Sequence, residues 1–184
     1  SMGRPLPGSS VAILDETGKP LPRGQRGQLA VIMPNPQAMI GYWNDPVRTA
    51  TTRVHHNGVE YFLTGDMASM DDEGYVFYAG RSDDIISSAG YRIGPMEVEN
   101  ALLEHPAVLE SAVVGSPDPE RGEVVKAFVL LRPGVNPSDD LVREIQEHVK
   151  RTTAPYKYPR LVEFVHELPK TVTGKLLRRQ LRDE

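Results

Sequence analysis

Apolar residues in the first part of the chain, to about Tyr78, fall into short runs separated by turn-forming residues. Short runs bounded by Gly, Pro and Asp are typical of β-strands. The runs lie at residues 11–14, 28–32 and 61–63. A hairpin is predicted where residues 67–70 and 75–79 flank Asp71-Asp72-Glu73-Gly74. We therefore predict a small antiparallel β barrel-like subdomain for this part of the chain.

From about Asp84 the pattern changes to alternating strands and helices. Ile85-Ile86 and Tyr91-Arg92-Ile93 flank a tight turn at Ser88-Ala89-Gly90. Pro95 stands where a helix begins, a position that needs no backbone N–H donor. Further strands are predicted at residues 110–114, 124–131 and 161–165.

The clearest helix signal follows Ser138, whose hydroxyl can cap a helix N-terminus. Leu141, Ile145 and Val149 then repeat every four residues along one face. These patterns predict a small α+β C-terminal domain in which a mixed sheet is flanked by helices, so the fold class is α+β. We assign residues 1–81 to the β-rich subdomain, 82–84 to a hinge and 85–184 to the second domain.

Composition narrows the classes of function. The 184 residues are 39% hydrophobic, which permits a buried core, and the net charge of −4 argues against non-specific nucleic-acid binding. The chain has no cysteine, which excludes disulfides and thiolate metal sites. No apolar run approaches the roughly 18 residues of a membrane-spanning helix. We predict a cytoplasmic protein, or one of the mitochondrial matrix if the source is eukaryotic.

Common ligand-binding motifs are absent from the sequence. Gly174-Lys175 lacks both the following Ser or Thr and the earlier glycine of a phosphate-binding loop. His55-His56 has no partners at metal-ligand spacing, and Asp71-Asp72-Glu73 does not follow the spacing of a calcium loop. We interpret both as solvated turns and predict no metal site.

Three polar segments contain side chains that the predicted strands and helices do not need for folding and that could bind a ligand. Thr64-Gly65-Asp66 offers a carboxylate that can accept two hydrogen bonds from a diol, or that only caps a turn. Residues 80–99 combine Gly80-Arg81-Ser82-Asp83-Asp84 with the hairpin around Gly90. A purely structural interpretation of this segment is a polar linker followed by a plain hairpin. Residues 169–179 place Lys175 on a loop, either as a surface residue before a basic helix or as a mobile point charge.

In this order and spacing the three segments resemble those of the ANL superfamily, which includes acyl-CoA synthetases, adenylation domains and luciferases. The resemblance extends over essentially the whole chain. It implies roles for six residues: nucleotide binding at Asp66, Arg81 and Arg92, a hinge at Asp83, the CoA tunnel at Gly90, and the catalytic lysine of adenylation at Lys175.

Within the superfamily the chain is most similar to medium-chain acyl-CoA synthetases, with benzoate-type CoA ligases next. The resemblance implies a small carboxylic acid, ATP, Mg²⁺ and CoA as the reactants and cofactors of the full enzyme. The superfamily's phosphate loop, magnesium-binding glutamate and acyl pocket are not found in these residues. We therefore expect the C-terminal part of a longer enzyme, which is inactive alone, requires no cofactor and can form a homodimer through its β-rich part.

Two other classes of function remain open. The chain could belong to an adenylation domain that loads a carrier protein, or to a non-catalytic module with the same fold. The complete reading frame would discriminate between them, since an upstream phosphate loop favours the synthetase and a native start near Gly3 favours the module. Glu97 and Glu99 are interpreted as residues of the first helical turn rather than as catalytic acids.

Overall fold

A single long strand organises the first unit of the computed structural model, which describes residues 1–182 and separates into Ser1–Asp83 and the chain from Asp84 onward. The first unit contains β1 (Val11–Leu14), β2 (Arg26–Ile32), α1 (Pro46–Thr51), β3 (Arg53–His56), β4 (Val59–Met70) and β5 (Val76–Arg81). The strands form a curled antiparallel sheet in which β2 lies between β1 and β4. The other edge of β4 pairs first with β3 and then with β5.

The structure corrects the predicted strand pattern of this unit in two places. The sequence pattern ends one strand at Leu63 and begins another at Met67, whereas the structure has one continuous strand, β4. Helix α1 and strand β3 were not predicted. Helix α1 buries none of its residues, so it has no apolar stripe, although Asp45 caps it and Pro46 begins it.

The second unit carries a mixed sheet. Its elements are β6 (Ile86–Ser88), β7 (Tyr91–Ile93), α2 (Pro95–Leu103), β8 (Val108–Asp118), β9 (Gly122–Leu131), α3 (Asp139–Thr152), β10 (Leu161–Val165) and α4 (Arg178–Arg182). Strand β10 runs parallel to β9, and the other strand pairs are antiparallel. Strand β10 has the bounds expected from its sequence.

Both faces of the β8–β9 pair are covered, which explains its continuous apolar runs. Val113 belongs to the core under α2 and α3, whereas its neighbours Ala112 and Val114 pack with Leu181 of α4 on the opposite face. Because successive strand residues point to opposite faces, a strand buried on both sides needs apolar residues at every position. The predicted fold class, a β-rich subdomain followed by an α+β domain with a helix-flanked mixed sheet, is confirmed.

Two histidines connect helix α2 to helix α3. The Nε2 atom of His148 lies 3.0 Å from the carbonyl oxygen of Ala101, so this nitrogen carries the proton. His105, which is almost fully buried, stacks edge-on against His148 with ring centroids 5.2 Å apart and accepts the Ala107 N–H at Nδ1. Burial first, and then the neighbouring His148, lower the pKa of His105, while the exposed carboxylate of Glu144 opposes this shift.

The lowered pKa of His105 predicts that the second unit loses stability as the pH falls. The free histidine titrates near pH 6.5, so below about pH 7 the unfolded chain binds a proton that the folded chain does not. Stability is therefore complete above this range and decreases by up to about 1.4 kcal/mol per pH unit as the pH falls toward the lowered pKa. Urea denaturation between pH 8 and pH 5 measures this slope.

The matched variant for that measurement is His105→Asn, because the asparagine carbonyl can accept the same Ala107 N–H and does not titrate. We expect a flatter pH dependence in this variant than in the native chain. An identical slope in both proteins would assign the effect to other groups.

Candidate functional site

Thr64-Gly65-Asp66 forms a bulge in the middle of strand β4. Gln28 of β2 pairs with Met67 and Ala30 pairs with Leu63, so the three residues face Leu29 alone. The Thr64 hydroxyl donates to the Leu29 carbonyl at 2.9 Å and accepts the Asp66 N–H at 3.2 Å. The bulge fixes the direction of the Asp66 side chain on a paired strand rather than on a free loop.

Gly65 is required at this bulge for two reasons. Its φ is +78°, a region that other residues adopt at a cost. A Cβ at this position would lie 2.8 Å from a terminal nitrogen of the Arg81 guanidinium. The glycine therefore allows Arg81 to lie directly against the backbone of the bulge.

Arg81 joins two of the other predicted site residues. Its Nη1 donates to Oδ1 of Asp66 at 3.2 Å, and its Nε donates to Oδ1 of Asp83 at 3.1 Å. Burial opposes the charge of Arg81, but the hydrogen bonds and charges of Asp83 and then Asp66 prevail and raise its pKa. Asp66, Arg81 and Asp83 thus form one hydrogen-bonded cluster in the first unit.

The Arg81 cluster can bind a polar ligand. The Asp66 side chain is 30% exposed and that of Arg81 is 39% exposed, so both are held in place yet reachable from solvent. A carboxylate that accepts one bond from Arg81 retains acceptor capacity for hydroxyl donors, and the guanidinium can donate to anionic oxygens. This combination suits a ribose next to a phosphate.

The chain passes from the first unit to the second through a short 3-10 turn, Ser82–Asp84. Asp83 is bonded to Arg81 of the first unit, whereas Asp84 accepts from Arg182 of the second at 2.7 Å. Adjacent residues are thus anchored to different units. A change of backbone torsion between the two anchors is the local requirement for a hinge.

Gly90 lies at the tip of the β6–β7 hairpin. Ala89 and Gly90 have φ of +48° and +82°, as in the two-residue turns that match the twist of paired strands. No atom lies within 4 Å of a Cβ built on Gly90, so the tip is open. Tyr91 stacks on Tyr156 at 4.2 Å between ring centroids, which supports the hairpin from one side.

Arg92, the third predicted nucleotide residue, lies on β7 of this hairpin and pairs with Ser87. It therefore belongs to the second unit, whereas Asp66 and Arg81 belong to the first. The structure places Arg92 on the same hairpin as Gly90.

Lys175 closes a tight turn on the surface of the second unit. The Thr171 N–H donates to the Lys175 carbonyl at 2.8 Å, and the Thr171 hydroxyl accepts the Lys175 N–H at 3.0 Å. Gly174 has φ of +84°, and its N–H donates to the Thr171 carbonyl at 2.8 Å. Lys175 is exposed, so its ammonium can reach a partner brought close to the turn.

One ion-pair network was missed by the sequence reasoning. Arg178 donates to both carboxylate oxygens of Glu99, at 2.9 and 2.8 Å. Only Glu97 lies in the first turn of α2, so the interpretation of Glu99 as a first-turn residue is wrong. Glu99 and Arg178 are 79 residues apart in the sequence. Sequence patterns extend over only a few residues, so they could not indicate this pair.

Residues 1–182 contain no cluster of three or more His, Asp or Glu side chains suited to a metal ion. Among the helices of that same range, none is long and apolar enough to cross a membrane.

Comparisons with known proteins give matches in both sequence and fold. Residues 97–175 match the family described as AMP-binding enzyme C-terminal domain. The chain is 54% identical over 187 residues to the mitochondrial acyl-coenzyme A synthetase ACSM3 of Rattus norvegicus, and 54% identical to ACSM5 of Homo sapiens. These alignments cover 99% and 100% of this chain but only 32% of each relative. The chain thus spans about a third of the length of the curated relatives it matches.

Solved structures with the same fold include an ATP-bound RpMatB-BxBclM chimera, with a TM-score of 0.90 at 38% identity. The anthranilate CoA ligase AuaEII in complex with anthranoyl-AMP gives a TM-score of 0.82 at 41% identity. Each match covers 98% of this chain, and covers 35% and 34% of the two solved chains.

Proposed function

We propose that the full-length protein containing this chain, which belongs to the AMP-binding enzymes through its C-terminal domain, is an ATP-dependent acyl-CoA synthetase. The observation that carries the proposal is the Arg81 cluster, in which one guanidinium joins the carboxylates of Asp66 and Asp83 at the boundary between the two units. The ATP-bound solved structure with a TM-score of 0.90 supports ATP as the nucleotide. The acyl-coenzyme A synthetases among the relatives support CoA as the acceptor.

The first proposed half-reaction is adenylation. A carboxylate oxygen attacks the α-phosphorus of ATP, the bond from that phosphorus to the bridging oxygen breaks, and pyrophosphate leaves with the electron pair. Asp66 would accept the ribose hydroxyls, and Arg81 would hold Asp66 and donate to ribose or phosphate oxygens. Arg92 would add a contact to the nucleotide or its phosphates. The ammonium of Lys175 would stabilise the charge that develops on the attacking and leaving oxygens.

The second proposed half-reaction is thioester formation. The CoA thiol loses its proton to solvent and its sulfur attacks the acyl carbonyl carbon; the bond from that carbon to the phosphate oxygen breaks, and AMP leaves with the electron pair. The second unit would rotate about Asp83 between the two steps, so that Lys175 withdraws and the Gly90 hairpin approaches the pantetheine arm. The open space around Gly90 and the separate placement of Lys175 on its own turn support this division.

Three further features of the full protein belong to the proposal. Mg²⁺ would be held by the ATP phosphates together with one or two carboxylates of the full-length protein, the usual way in which this ion is bound. A medium-chain acid is the proposed substrate class, and the mitochondrial relatives support the mitochondrial matrix over the cytoplasm. Homodimer formation through the first unit stays a prediction that sedimentation of the purified chain tests; Ile40 and Trp43 are highly exposed there.

The test of this function is a pair of assays on the full-length protein with a panel of medium-chain and aromatic acids. We expect exchange of pyrophosphate into ATP that depends on the acid, and formation of an acyl thioester on addition of CoA. The 184 residues alone are expected to give neither activity. Exchange without transfer to CoA, but with transfer to a carrier-bound pantetheine, would favour a carrier-loading adenylation domain instead.

The Asp66→Asn variant tests the nucleotide site within that assay. Asparagine can still accept from Arg81 but lacks the charge that strengthens two hydrogen bonds from the ribose diol. We expect the KM for ATP to rise about 10- to 100-fold. Asp72→Asn, in the exposed turn after β4, is the control and should leave this KM unchanged. An unchanged KM in Asp66→Asn would remove this residue from the ribose site.

A further inference from the structure

Four charged side chains of the second unit form a connected network next to the turn at residues 171–175, here called the lysine turn. Arg178 uses Nη2 to bind both oxygens of Glu99, and its Nη1 lies 3.7 Å from Oδ2 of Asp84. Arg182 completes the network with a bond of 2.7 Å to Oδ1 of Asp84. The two arginines of helix α4 are thereby joined to helix α2 and to the first residue of the unit.

This network is largely withdrawn from solvent. The side chains of Glu99, Asp84 and Arg178 are 12%, 16% and 20% exposed. Glu99 also accepts the Val113 N–H at 2.8 Å, so its position relative to strand β8 is fixed. Charges at this depth contribute little to stability in comparison with apolar residues, but they define a specific geometry because each requires its partner.

The C-terminal segment is held by this network as well as by apolar packing on the sheet. Helix α4 has five residues, too short to be stable alone, and of these only Leu181 is buried. Lys175 lies three residues before Arg178, and Val172 at the tip of its turn is fully exposed. The turn's own hydrogen bonds define its shape, and Arg178 and Arg182, together with the packing of Leu176 and Leu181 on the sheet, hold it in place.

We propose that Arg178 and Arg182 are positioning residues for Lys175. Through Glu99 and Asp84 they attach the lysine turn to the residue that follows the boundary at Asp83, so that the ammonium occupies a fixed position whenever the second unit adopts the adenylation arrangement. The proposal rests on the proposed function, since it assigns these arginines to the adenylation half-reaction alone. Neither arginine contacts the substrate in this proposal.

The test compares three variants of the full-length protein. Arg178→Lys keeps the charge but cannot reproduce the geometry of the guanidinium, and Arg182→Gln breaks the more exposed bond to Asp84. Arg179→Gln removes an exposed arginine from the same helix and is the control. Adenylation and thioester formation from supplied acyl-AMP are measured separately, together with the thermal midpoint.

We expect Arg178→Lys to lower the adenylation rate by roughly 10²-fold, because a misplacement of about 1 Å is enough for such a loss. Arg182→Gln should lower it less, and thioester formation should stay unchanged in both variants. Equal losses in the two half-reactions, or a loss in Arg179→Gln as large as in Arg178→Lys, would overturn the positioning role.

Hydrogen exchange provides a readout that does not depend on catalysis. In Arg178→Lys the amides of Leu177 and Gln180, which donate to the carbonyls of Pro169 and Leu177 beside Arg178, should exchange faster, while those of strand β9 stay protected. Unchanged protection of these two amides would contradict the positioning proposal. A native protein that lacks adenylation activity would instead refute the proposed function, so the two failures are distinguishable.

Discussion

Lys175→Ala in the full-length protein is expected to lower the rate of acyl-adenylate formation by roughly 10²- to 10³-fold. A loss of this size is typical when one preorganised group that stabilises the charge of a transition state is removed. Lys175 is exposed on a turn that Thr171 and Gly174 hold by backbone hydrogen bonds, so truncation of its side chain leaves the turn intact. Thioester formation from supplied acyl-AMP should be retained, because the lysine is assigned to adenylation alone. Pyrophosphate exchange and single-turnover thioester formation measure the two steps.

Lys170→Ala is the matched control for this experiment. Lys170 lies at the base of the same turn, where its backbone bridges to Leu176 and its ammonium binds Glu110 at 2.7 Å. Ion pairs with this degree of exposure contribute about 0 to 1 kcal/mol, so both half-reactions should change little. A similar loss of adenylation in both lysine variants would assign the effect to the turn as a whole. Equal loss of both half-reactions in Lys175→Ala would reject the division of labour.

Gly90→Leu is expected to slow thioester formation and spare adenylation, the reverse of the effect expected for Lys175→Ala. The added side chain meets no protein atom within 4 Å of its Cβ, so it would project into the space proposed for the pantetheine arm. We expect thioester formation to fall by roughly 10²-fold or more, because the reacting atoms would be held apart, while adenylation continues. Acyl-AMP should accumulate on the enzyme, and its amount in a quenched reaction is the measurement.

The backbone at Gly90 complicates this variant and calls for its own control. A leucine at φ +82° adds strain of about 1 to 2 kcal/mol. Gly134 has φ of +87° and equally open space, so Gly134→Leu carries similar strain without approaching the hairpin. If Gly134→Leu slows thioester formation as much as Gly90→Leu, strain rather than obstruction is the cause. Normal thioester formation in Gly90→Leu would remove the hairpin tip from the CoA path.

Local chemistry made several elements predictable from the sequence. The Ser138 hydroxyl accepts the Leu141 N–H at 3.1 Å at the start of α3, as the capping signal indicated. Strand β10 and the hairpin around Ala89-Gly90 also appear where their sequence patterns placed them. In each case the residues that define the element lie within a few positions of one another.

Other elements depended on partners that are distant in the sequence. Strand β4 continues through the Thr64-Gly65-Asp66 bulge because β2 pairs with β4 before and after it and β5 pairs with β4 from Asp66 onward, although the three residues by themselves favour a turn. Helix α1 escaped prediction because it buries no apolar residue. Hydrophobic periodicity in a sequence indicates elements that bury one face. It therefore does not indicate an exposed helix, or a strand segment that is stabilised by its neighbours.

The sequence by itself indicated the family that the chain resembles and the identities of its candidate residues. Asp66, Arg81, Asp83, Gly90, Arg92 and Lys175 were all named from their motifs. Turn and cap chemistry acts over four residues or fewer, so its consequences can be recognised in the sequence.

Only the tertiary structure decided which of these residues lie in contact. It joined Asp66 and Asp83 through Arg81, placed Arg92 on the hairpin that carries Gly90, and paired Arg178 with Glu99 across 79 residues of chain. The physical reason is that the strength of an ion pair depends on the distance between the two charges and on how much water surrounds them. Both quantities are set by how the backbone folds between the two residues.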